Sequence, residues 1–397
     1  MADIIRQQKG KRPVKQHGNS THKLFETNEA RNRKRLWDRQ KAARETLSSE
    51  DSFKRLINCR RHIHGSGVTV TYSKKHKSAQ FIGLNACNLP WICPLCAAKI
   101  AQKRQEELEI AINNCRKEGG VIYLSTYTIA HTKHDKLGDL LRAQEAAMKR
   151  TQQGQTAQKI KRDFEVIGSV SVREITWSPN AGFHPHYHVL TFFRKEINAE
   201  AYATIMRERW EKATEHEGLR VNEHGFRFDP TYGAVHQYVT KIGRRPTDTV
   251  WSSSAEMTKS HIKEGRSDGG ISPFRMLDLI NEGEEGYSEI FKEYALRTKG
   301  KHQFVWSHNL RRELGIERKA LLDTERENES EEENIALAFI PHGQWKVVLV
   351  NNLHAEILEI ARSGNATLLG KYLASRNIEA KILGGDPGSF IPTLLAS

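Results

Sequence analysis

The chain lacks the features of a membrane or secreted protein. No run of apolar residues approaches the length of about 18 that a membrane-spanning helix requires, and no apolar stretch follows the basic N-terminus as in a secretory signal. Only 38% of the 397 residues are hydrophobic. Five cysteines are too few, in a chain of this length, for a secreted disulfide framework. These absences predict a polar, cytoplasmic protein of two or three domains without membrane contact.

Positive charge, by contrast, is in excess. The net charge is +14 and the sequence pI about 9.5, which favours a polyanionic partner such as nucleic acid. Residues 1–50 hold 13 Lys and Arg against 6 Asp and Glu and few apolar residues, which predicts a mostly disordered basic arm. Residues 321–334 contain an acidic run, interpreted as a solvated linker. Charge alone leaves an RNA-binding or DNA-architectural role open.

The segment from residue 184 to 193 reads HPHYHVLTFF and is predicted to be a β-strand. His184, His186 and His188 then lie on one strand face, because strand side chains alternate. Burying three imidazoles without a partner is costly, and a divalent metal is the usual partner. The alternative is an exposed histidine-rich strand end, which the apolar continuation of the strand disfavours.

A second strand is predicted over residues 166–177, and the turn sequence SPNAG at 178–182 joins the two strands into a hairpin. Pairing across this turn brings Glu174 opposite His186. Two imidazoles and one carboxylate leave coordination positions open for a substrate oxygen, with His184 as a further candidate ligand. The alternative is a glutamate solvated at a strand end.

Four cysteines have the spacing of a structural metal site. They are Cys59, Cys87, Cys93 and Cys96. A CxxC turn is a common way to hold Zn²⁺ tetrahedrally, although His62 and His64 are rival fourth ligands. Reduced, buried cysteines are the alternative interpretation. Cys115 lies in the apolar pattern of a helix and is assigned to the core.

The order of these motifs resembles a known family. The stretch His186-Tyr187-His188 is similar to the His-hydrophobic-His motif of HUH endonucleases, and residues 174–190 resemble the rolling-circle plasmid replication initiators, or Rep proteins. Such enzymes need a tyrosine downstream on a helix, and Tyr238-Val-Thr-Lys241 resembles their Tyr-Val-x-Lys signature. The resemblance covers about residues 57–320.

The resemblance implies an α+β fold: an antiparallel-sheet HUH nuclease domain with a small zinc module before it and mainly helical additions after it. The helices are expected to cover one face of the sheet. The predicted divisions are 1–50 basic arm, 51–117 zinc module and helix, 118–250 HUH endonuclease domain, 251–320 helical Rep extension, 321–334 acidic linker and 335–397 small C-terminal module.

The resemblance also implies an activity. Tyr238 would attack a phosphodiester of single-stranded or extruded origin DNA, form a 5′-phosphotyrosyl bond, release a 3′-OH primer and later rejoin the strand. Mg²⁺ or Mn²⁺ at Glu174, His186 and His188 would polarise the phosphate, and Zn²⁺ would be structural. Lys241 would either lower the pKa of the phenol or hold the phosphate. A host helicase and polymerase are the expected partners.

Two other classes compete with this interpretation. An HUH transposase or relaxase would share the chemistry, although relaxases usually carry the tyrosine before the histidine motif. A zinc-stabilised DNA-binding protein without catalysis would explain the charge and the cysteines. It would leave the histidine strand and Tyr238 unexplained.

Termination is where the sequence departs from one pattern of the family. Some single-tyrosine initiators place a glutamate one helical turn before the tyrosine, and that position is Ala234 here. Residues 234–242 contain no acidic residue. The second cut is therefore assigned to Tyr238 of another protomer, which implies a dimer during termination. Asp229 is the next candidate base, and Tyr232 is the fallback nucleophile.

Overall fold

The computed structural model describes residues 22–243, 270–316 and 334–383. The strands in these ranges are β1 (Gly67–Ser73), β2 (Ser78–Ile82), β3 (Val121–Tyr127), β4 (Val166–Ser178), β5 (Gly182–Phe193), β6 (Phe226–Asp229), β7 (Phe304–Trp306), β8 (Asn334–Pro341) and β9 (Lys381–Ile382). The first seven helices are α1 (Asn28–Thr46), α2 (Lys54–Ile57), α3 (Pro94–Lys117), α4 (Leu137–Gln152), α5 (Gln155–Asp163), α6 (Ala199–His216) and α7 (Tyr232–Gly243). The remaining helices are α8 (Pro273–Glu282), α9 (Tyr287–Thr298), α10 (Leu310–Glu313), α11 (His342–Val350), α12 (His354–Ala361) and α13 (Ala366–Ser375).

A five-stranded antiparallel sheet with the order β6-β3-β5-β4-β7 forms the centre of the molecule. Its longest pairing is the β4–β5 hairpin, where Ser178 pairs with Gly182 across a three-residue turn. Gly182 has a φ of +74°, a conformation that glycine adopts without the steric penalty of a side chain. The antiparallel sheet that the sequence predicts is therefore present.

Helices cover both faces of this sheet. On one face, Leu108 and Ile112 of α3 and Val235 of α7 share a core with Val170 and Leu190 of the hairpin. On the other face, buried side chains of α4 and α6 pack against the opposite side of the same strands. The expectation of helices on one face alone is wrong, because the hairpin residues that point away from the histidines, such as Tyr187 and Val189, are also apolar or aromatic.

A second, four-stranded sheet joins distant parts of the chain in the order β2-β1-β8-β9. β8 pairs with β1 in antiparallel register, so that Val68 lies opposite Ile340 and Val70 opposite Ala338. The predicted zinc module and C-terminal module are thus not separate units, and this part of the predicted division is corrected. The physical reason is that a lone two-stranded hairpin is at best marginally stable, whereas β8 adds a strand to it.

The presence of helix α1 contradicts part of the prediction that residues 1–50 are disordered. Its first turn is capped by Thr27, whose hydroxyl accepts a hydrogen bond of 3.1 Å from the Ala30 amide. Arg39 is buried and donates two hydrogen bonds, of 2.7 and 2.6 Å, to Asp278 of α8. The predicted disorder is therefore wrong for residues 28–46, because several of their arginines pair with carboxylates far along the chain, Asp278 and Glu359. Residues 1–21 lie outside the described part.

Residues 270–316 form more than a helical extension. Ser272 caps the N-terminus of α8, since its hydroxyl accepts a hydrogen bond of 3.3 Å from the Arg275 amide, and Pro273 occupies the first turn. β7 then pairs with β4 at the edge of the central sheet. The predicted extension thus completes the sheet, while residues 251–269 and most of the predicted acidic linker lie outside the described part. None of the helices that the structure describes has the length and apolar character needed to cross a membrane.

Candidate active site

The β4–β5 register creates a cluster of two imidazoles and one carboxylate. Glu174 pairs directly with His186, as the sequence predicts, and its Oε2 lies 3.2 Å from Nε2 of His186 and 3.5 Å from Nε2 of His188. One ligand atom of each of the three residues lies within 4.8 Å of the other two. All three side chains are partly buried, which suits a site that must also admit a substrate.

Thr126 on β3 orients the second histidine of this cluster. It pairs directly with His188, and its hydroxyl oxygen lies 3.0 Å from Nδ1 of the ring. This contact turns Nε2 toward Glu174, in the manner of the outer partners that orient metal-binding histidines. Sequence reasoning missed Thr126, because a threonine within a strand carries no signal of its own.

His184 lies on the same strand face but has a different partner. Its Nδ1 lies 2.6 Å from Nε2 of His131, whose Nδ1 donates a hydrogen bond of 2.9 Å to the carbonyl of Ala181. Burial, together with the nearby His186 and His131, lowers the pKa of His184 to about 4, so its ring is neutral at pH 7. The structure thus brings His184 to a second histidine beside the cluster rather than into it.

Tyr238 approaches the cluster from α7. Its ring centroid lies 4.6 Å from that of His188, and its hydroxyl is buried without a hydrogen-bond partner among the described residues. Burial first, and the Glu174 carboxylate second, raise the pKa of this phenol well above its ordinary value. Tyr238 is therefore a protonated phenol held beside a potential metal site.

Two other residues of α7 are placed only by their backbone. Lys241 lies three residues after Tyr238, and Tyr232 is the first residue of α7. The side chains of Lys241 and Tyr232 lie outside the described part. Asp229, the alternative base, accepts hydrogen bonds of 3.0 and 2.6 Å from the amide and hydroxyl of Thr231. Although burial acts against it, these bonds lower the pKa of Asp229.

The four cysteines form a closed, buried cluster. Sγ of Cys59 lies 3.8 Å from that of Cys93 and 3.7 Å from that of Cys96, and Sγ of Cys87 lies 3.6 Å from that of Cys96. Sulfur atoms about 2.3 Å from a tetrahedral zinc ion would be separated by about 3.8 Å, so the four thiols fit Zn²⁺. His62 and His64 are not part of this cluster.

The four thiols lie close enough together to perturb one another's ionisation. Hydrogen bonds from Cys59, Cys87 and Cys93 lower the pKa of Cys96 well below its ordinary value, whereas burial raises that of Cys93. Four thiolates so close together would repel one another unless a cation neutralised them. The cluster shares its hydrophobic core with Ile175 and Phe183 of the β4–β5 hairpin. The cysteine site therefore supports the strands that carry Glu174 and the histidines.

Comparison with known proteins agrees with this arrangement. Residues 79–340 match the family described as Replication protein. Protein rep of Streptomyces lividans is 24% identical over 320 residues, which cover 64% of this chain and 68% of that protein. The Neomycin resistance protein of Streptomyces cyanogenus is 26% identical over 137 residues, which cover 28% of this chain and 31% of that protein. No solved structure matches the chain.

The fold and the site together define a protein with an antiparallel sheet, a histidine–carboxylate cluster and a buried tyrosine beside it. The match to the Replication protein family covers more than half of the chain, from residue 79 to residue 340. The chain therefore belongs to this replication-protein family, and the predicted membership of the plasmid Rep family is confirmed.

Proposed function

We propose that this protein initiates rolling-circle replication by cutting one strand of origin DNA through Tyr238, in the manner of an HUH endonuclease. The observation that carries the proposal is the position of the Tyr238 ring, 4.6 Å from His188 and next to the cluster of Glu174, His186 and His188. A buried hydroxyl without a partner is costly in a core position, so a function is a better explanation for it than packing.

The proposed reaction is a transesterification. The Tyr238 oxygen attacks the phosphorus and forms the phosphotyrosyl bond, and the bond from phosphorus to the 3′ oxygen breaks. The phenol loses its proton and the departing 3′ oxygen takes one up, so the cut strand leaves with a free 3′-OH. A protonated phenol is a weak nucleophile and needs activation. Burial raises the pKa of this phenol and the Glu174 carboxylate raises it further, so neither favours the phenolate.

The residues around the tyrosine support a metal-dependent mechanism. The two Nε2 atoms and the carboxylate oxygen are a mixed donor set, and carboxylate and imidazole ligands suit Mn²⁺, with Mg²⁺ the more oxygen-seeking alternative. Such an ion would polarise the scissile phosphate and offset the charge of Glu174. Lys241 follows on the same helix, and we propose that it either holds the phosphate or lowers the pKa of the phenol.

Termination is proposed to use Tyr238 of a second protomer. Asp229 is engaged in capping the start of α7 through Thr231, and its lowered pKa makes it a poor base at neutral pH. Mixing Tyr238→Phe protein in excess with the wild type should then suppress strand transfer beyond simple dilution. Completion of termination by wild-type monomers through hydrolysis would exclude the second protomer.

The central test is a nicking assay on single-stranded, origin-like oligonucleotides with and without added Mg²⁺ or Mn²⁺. The wild type should cut and form a covalent protein–DNA adduct only with the metal. Tyr238→Phe should abolish both cutting and adduct while binding the oligonucleotide normally, because the substitution removes only the nucleophilic oxygen.

Tyr232→Phe is the matched control, since it removes a hydroxyl from the same helix and should leave the adduct unchanged. An adduct that persists in Tyr238→Phe would overturn the assignment and point to Tyr232. Normal DNA binding without cutting under every metal condition would favour the non-catalytic, zinc-stabilised DNA-binding protein instead.

A further inference from the structure

The edge strand β6 carries a basic residue on the face of the central sheet that holds the histidines. Phe226 and Phe228 of β6 pack in the core that α4 and α6 form with the other face of the sheet. Because side chains alternate along a strand, Arg227 lies on the same face as the cluster of Glu174, His186 and His188. The sheet thus places a cation on the face of the candidate metal site.

Arg227 and His188 lie in one row across three neighbouring strands. Thr126 of β3 pairs with Arg227 on one side and with His188 on the other. Neighbouring strands are about 4.8 Å apart, so the backbones of Arg227 and His188 are separated by about 10 Å. The residue between them in this row is a threonine, whose short side chain leaves room for a long arginine side chain to extend toward the cluster.

The guanidinium of Arg227 is accessible and loosely held. Its side chain is 78% exposed, and its Nη2 lies 3.4 Å from Oδ2 of Asp229. The other carboxylate oxygen of Asp229 accepts hydrogen bonds from the amide and the hydroxyl of Thr231. An exposed ion pair contributes little to stability, so Arg227 can exchange this carboxylate for a phosphate with only a small loss.

The orientation of His188 decides which phosphate Arg227 can contact. Nδ1 of this ring faces Thr126, whereas Nε2 points away from β6 and toward Glu174. A scissile phosphate held at the cluster therefore lies on the far side of the His188 ring from Arg227. The phosphate within range of the guanidinium is then a neighbouring one in the same strand, on the side of the site nearest β6.

We propose that Arg227 binds a phosphate next to the scissile one and so holds the DNA strand in register across β3 and β5. A guanidinium suits this task, because its planar fork donates two parallel hydrogen bonds to phosphate oxygens. The inference rests on the proposed cleavage through Tyr238, and it adds a residue that binds the substrate away from the reacting atoms. Such binding is equally strong in the ground state and the transition state, so it lowers KM and leaves kcat unchanged.

The first test measures the cutting of an oligonucleotide that the wild type cleaves. Arg227→Ala should raise KM about fivefold or more and change kcat less than about twofold. Arg227→Lys keeps the charge but loses the fork, so its KM should be intermediate. The thermal midpoint of both variants should equal that of the wild type, because the side chain is exposed. A fall in kcat at unchanged KM would overturn the proposal.

Arg142→Ala is the matched control. The Arg142 side chain is 76% exposed and, like Arg227, pairs with a nearby aspartate, here Asp139. It lies on α4, which packs on the opposite face of the sheet. Its KM should equal that of the wild type. An equal rise in KM in Arg142→Ala and Arg227→Ala would show that the effect is one of general charge, and the assignment to Arg227 would be wrong.

The second test identifies the phosphate. Each phosphate flanking the cut is replaced in turn by an uncharged methylphosphonate, and the affinity of the oligonucleotide is measured without added metal. At the linkage that Arg227 contacts, the replacement should weaken binding to the wild type about as much as Arg227→Ala does. Combining the two changes should weaken it little further, because both remove the same contact. Additive losses at every flanking linkage would exclude the contact.

A third measurement does not depend on cleavage. Binding of a 30-nucleotide oligothymidylate is followed against salt concentration without added Mg²⁺ or Mn²⁺. The slope of log affinity against log salt should be shallower by about 0.7 in Arg227→Ala, the value for one phosphate contact on a single strand, and unchanged in Arg142→Ala. If the wild type cuts no oligonucleotide and this change is still seen, the cleavage proposal fails while the phosphate contact stands. A wild-type slope in Arg227→Ala would overturn the phosphate contact itself.

Discussion

Thr126 and His188 face each other across β3 and β5, with the threonine hydroxyl 3.0 Å from Nδ1 of the imidazole. The contact fixes which ring nitrogen of His188 points toward Glu174. A metal site with one pre-oriented histidine loses less entropy on binding its ion, and outer-shell partners of this kind typically change metal affinity 10- to 100-fold, that is by about 1–3 kcal/mol.

Thr126→Val should therefore weaken Mn²⁺ binding by about 10-fold or more while leaving the fold intact, because valine has nearly the same shape but no hydroxyl. His186→Ala and His188→Ala should each remove metal-dependent cutting, and Glu174→Ala should weaken it or shift the metal preference. Isothermal titration with Mn²⁺ measures the affinities. Thr128→Val, two residues further along, is the matched control; equal effects at both threonines would show that the Thr126 contact does not orient the site.

The cysteine cluster predicts a stoichiometry of about one Zn²⁺ per chain. Cys93→Ser should abolish zinc binding and unfold the surrounding core, since structural zinc contributes about 10–16 kcal/mol of apparent binding energy in small domains. The Cys115→Ser variant should still bind zinc, because Cys115 is buried near the Phe193 carbonyl and lies outside the cluster of four cysteines. Elemental analysis of each purified variant checks this, and an active wild type without zinc would contradict it.

The ion pair between α1 and α8 should contribute strongly to stability. Asp278 is buried and accepts hydrogen bonds from Arg35 and Arg39, so Asp278→Ala would leave the buried Arg39 without its carboxylate. We expect a loss of about 3–5 kcal/mol in the free energy of unfolding, measured by urea denaturation. Asp38→Ala breaks the partly exposed pair with Lys34 instead and should cost less than about 1 kcal/mol. Similar losses in the two variants would mean that α1 is not anchored by Asp278.

Acid should destabilise the protein through His354. This ring is buried, stacks 4.6 Å from Trp37 and has no hydrogen-bond partner on either nitrogen among the described residues. Burial, with Arg44 and Arg61 nearby, lowers the pKa of His354 from 6.5 to about 3. Between these two pH values the imidazole is therefore protonated in the unfolded chain but neutral in the folded protein. Stability is therefore full above pH 6.5 and falls as the pH drops toward 3.

Between pH 8 and pH 5 this histidine alone should cost about 2 kcal/mol of unfolding free energy. His354→Phe keeps an aromatic ring in the stack and should remove that part of the pH dependence in urea titrations at the two pH values. The exposed His342→Phe should leave the pH dependence unchanged. A pH dependence that is the same in His354→Phe and in the wild type would show that His354 is not the group responsible.

The sequence predicted the hairpin and its register well, because alternation and a turn signal are local. The pairing of Glu174 with His186 could be predicted because fewer than thirty consecutive residues determine both strand faces and the length of the turn. The four cysteines were also predicted together, because thiol spacing is a strong local signal. The pairing of β1 with β8 was not predictable in this way, since more than 260 residues separate Val68 from Ile340.

Other features of the structure could not be predicted from the sequence, for chemical reasons. The helix α1 has so many charged residues that its composition favours disorder. Its distant partners explain why it folds, because Asp278 and Glu359 pair with its arginines and Trp37 is buried in the core of the second sheet. Thr126 and His131 became recognisable as neighbours of the histidine strand only once the sheet order placed them beside His188 and His184. Single threonines and histidines are too common in any sequence to reveal such partners.

Helix α3 belongs to two cores at once. Cys93 caps its first turn and Cys96 lies within it, while Leu108 and Ile112 pack, three or four turns later, under the central sheet. At about 1.5 Å per residue, its 24 residues form a rod about 36 Å long. Plasmids that exchange replication genes by recombination would therefore break a continuous structural element if the junction fell inside this helix. We expect natural and engineered hybrids of these proteins to inherit the four clustered cysteines and the histidine strand from the same parent.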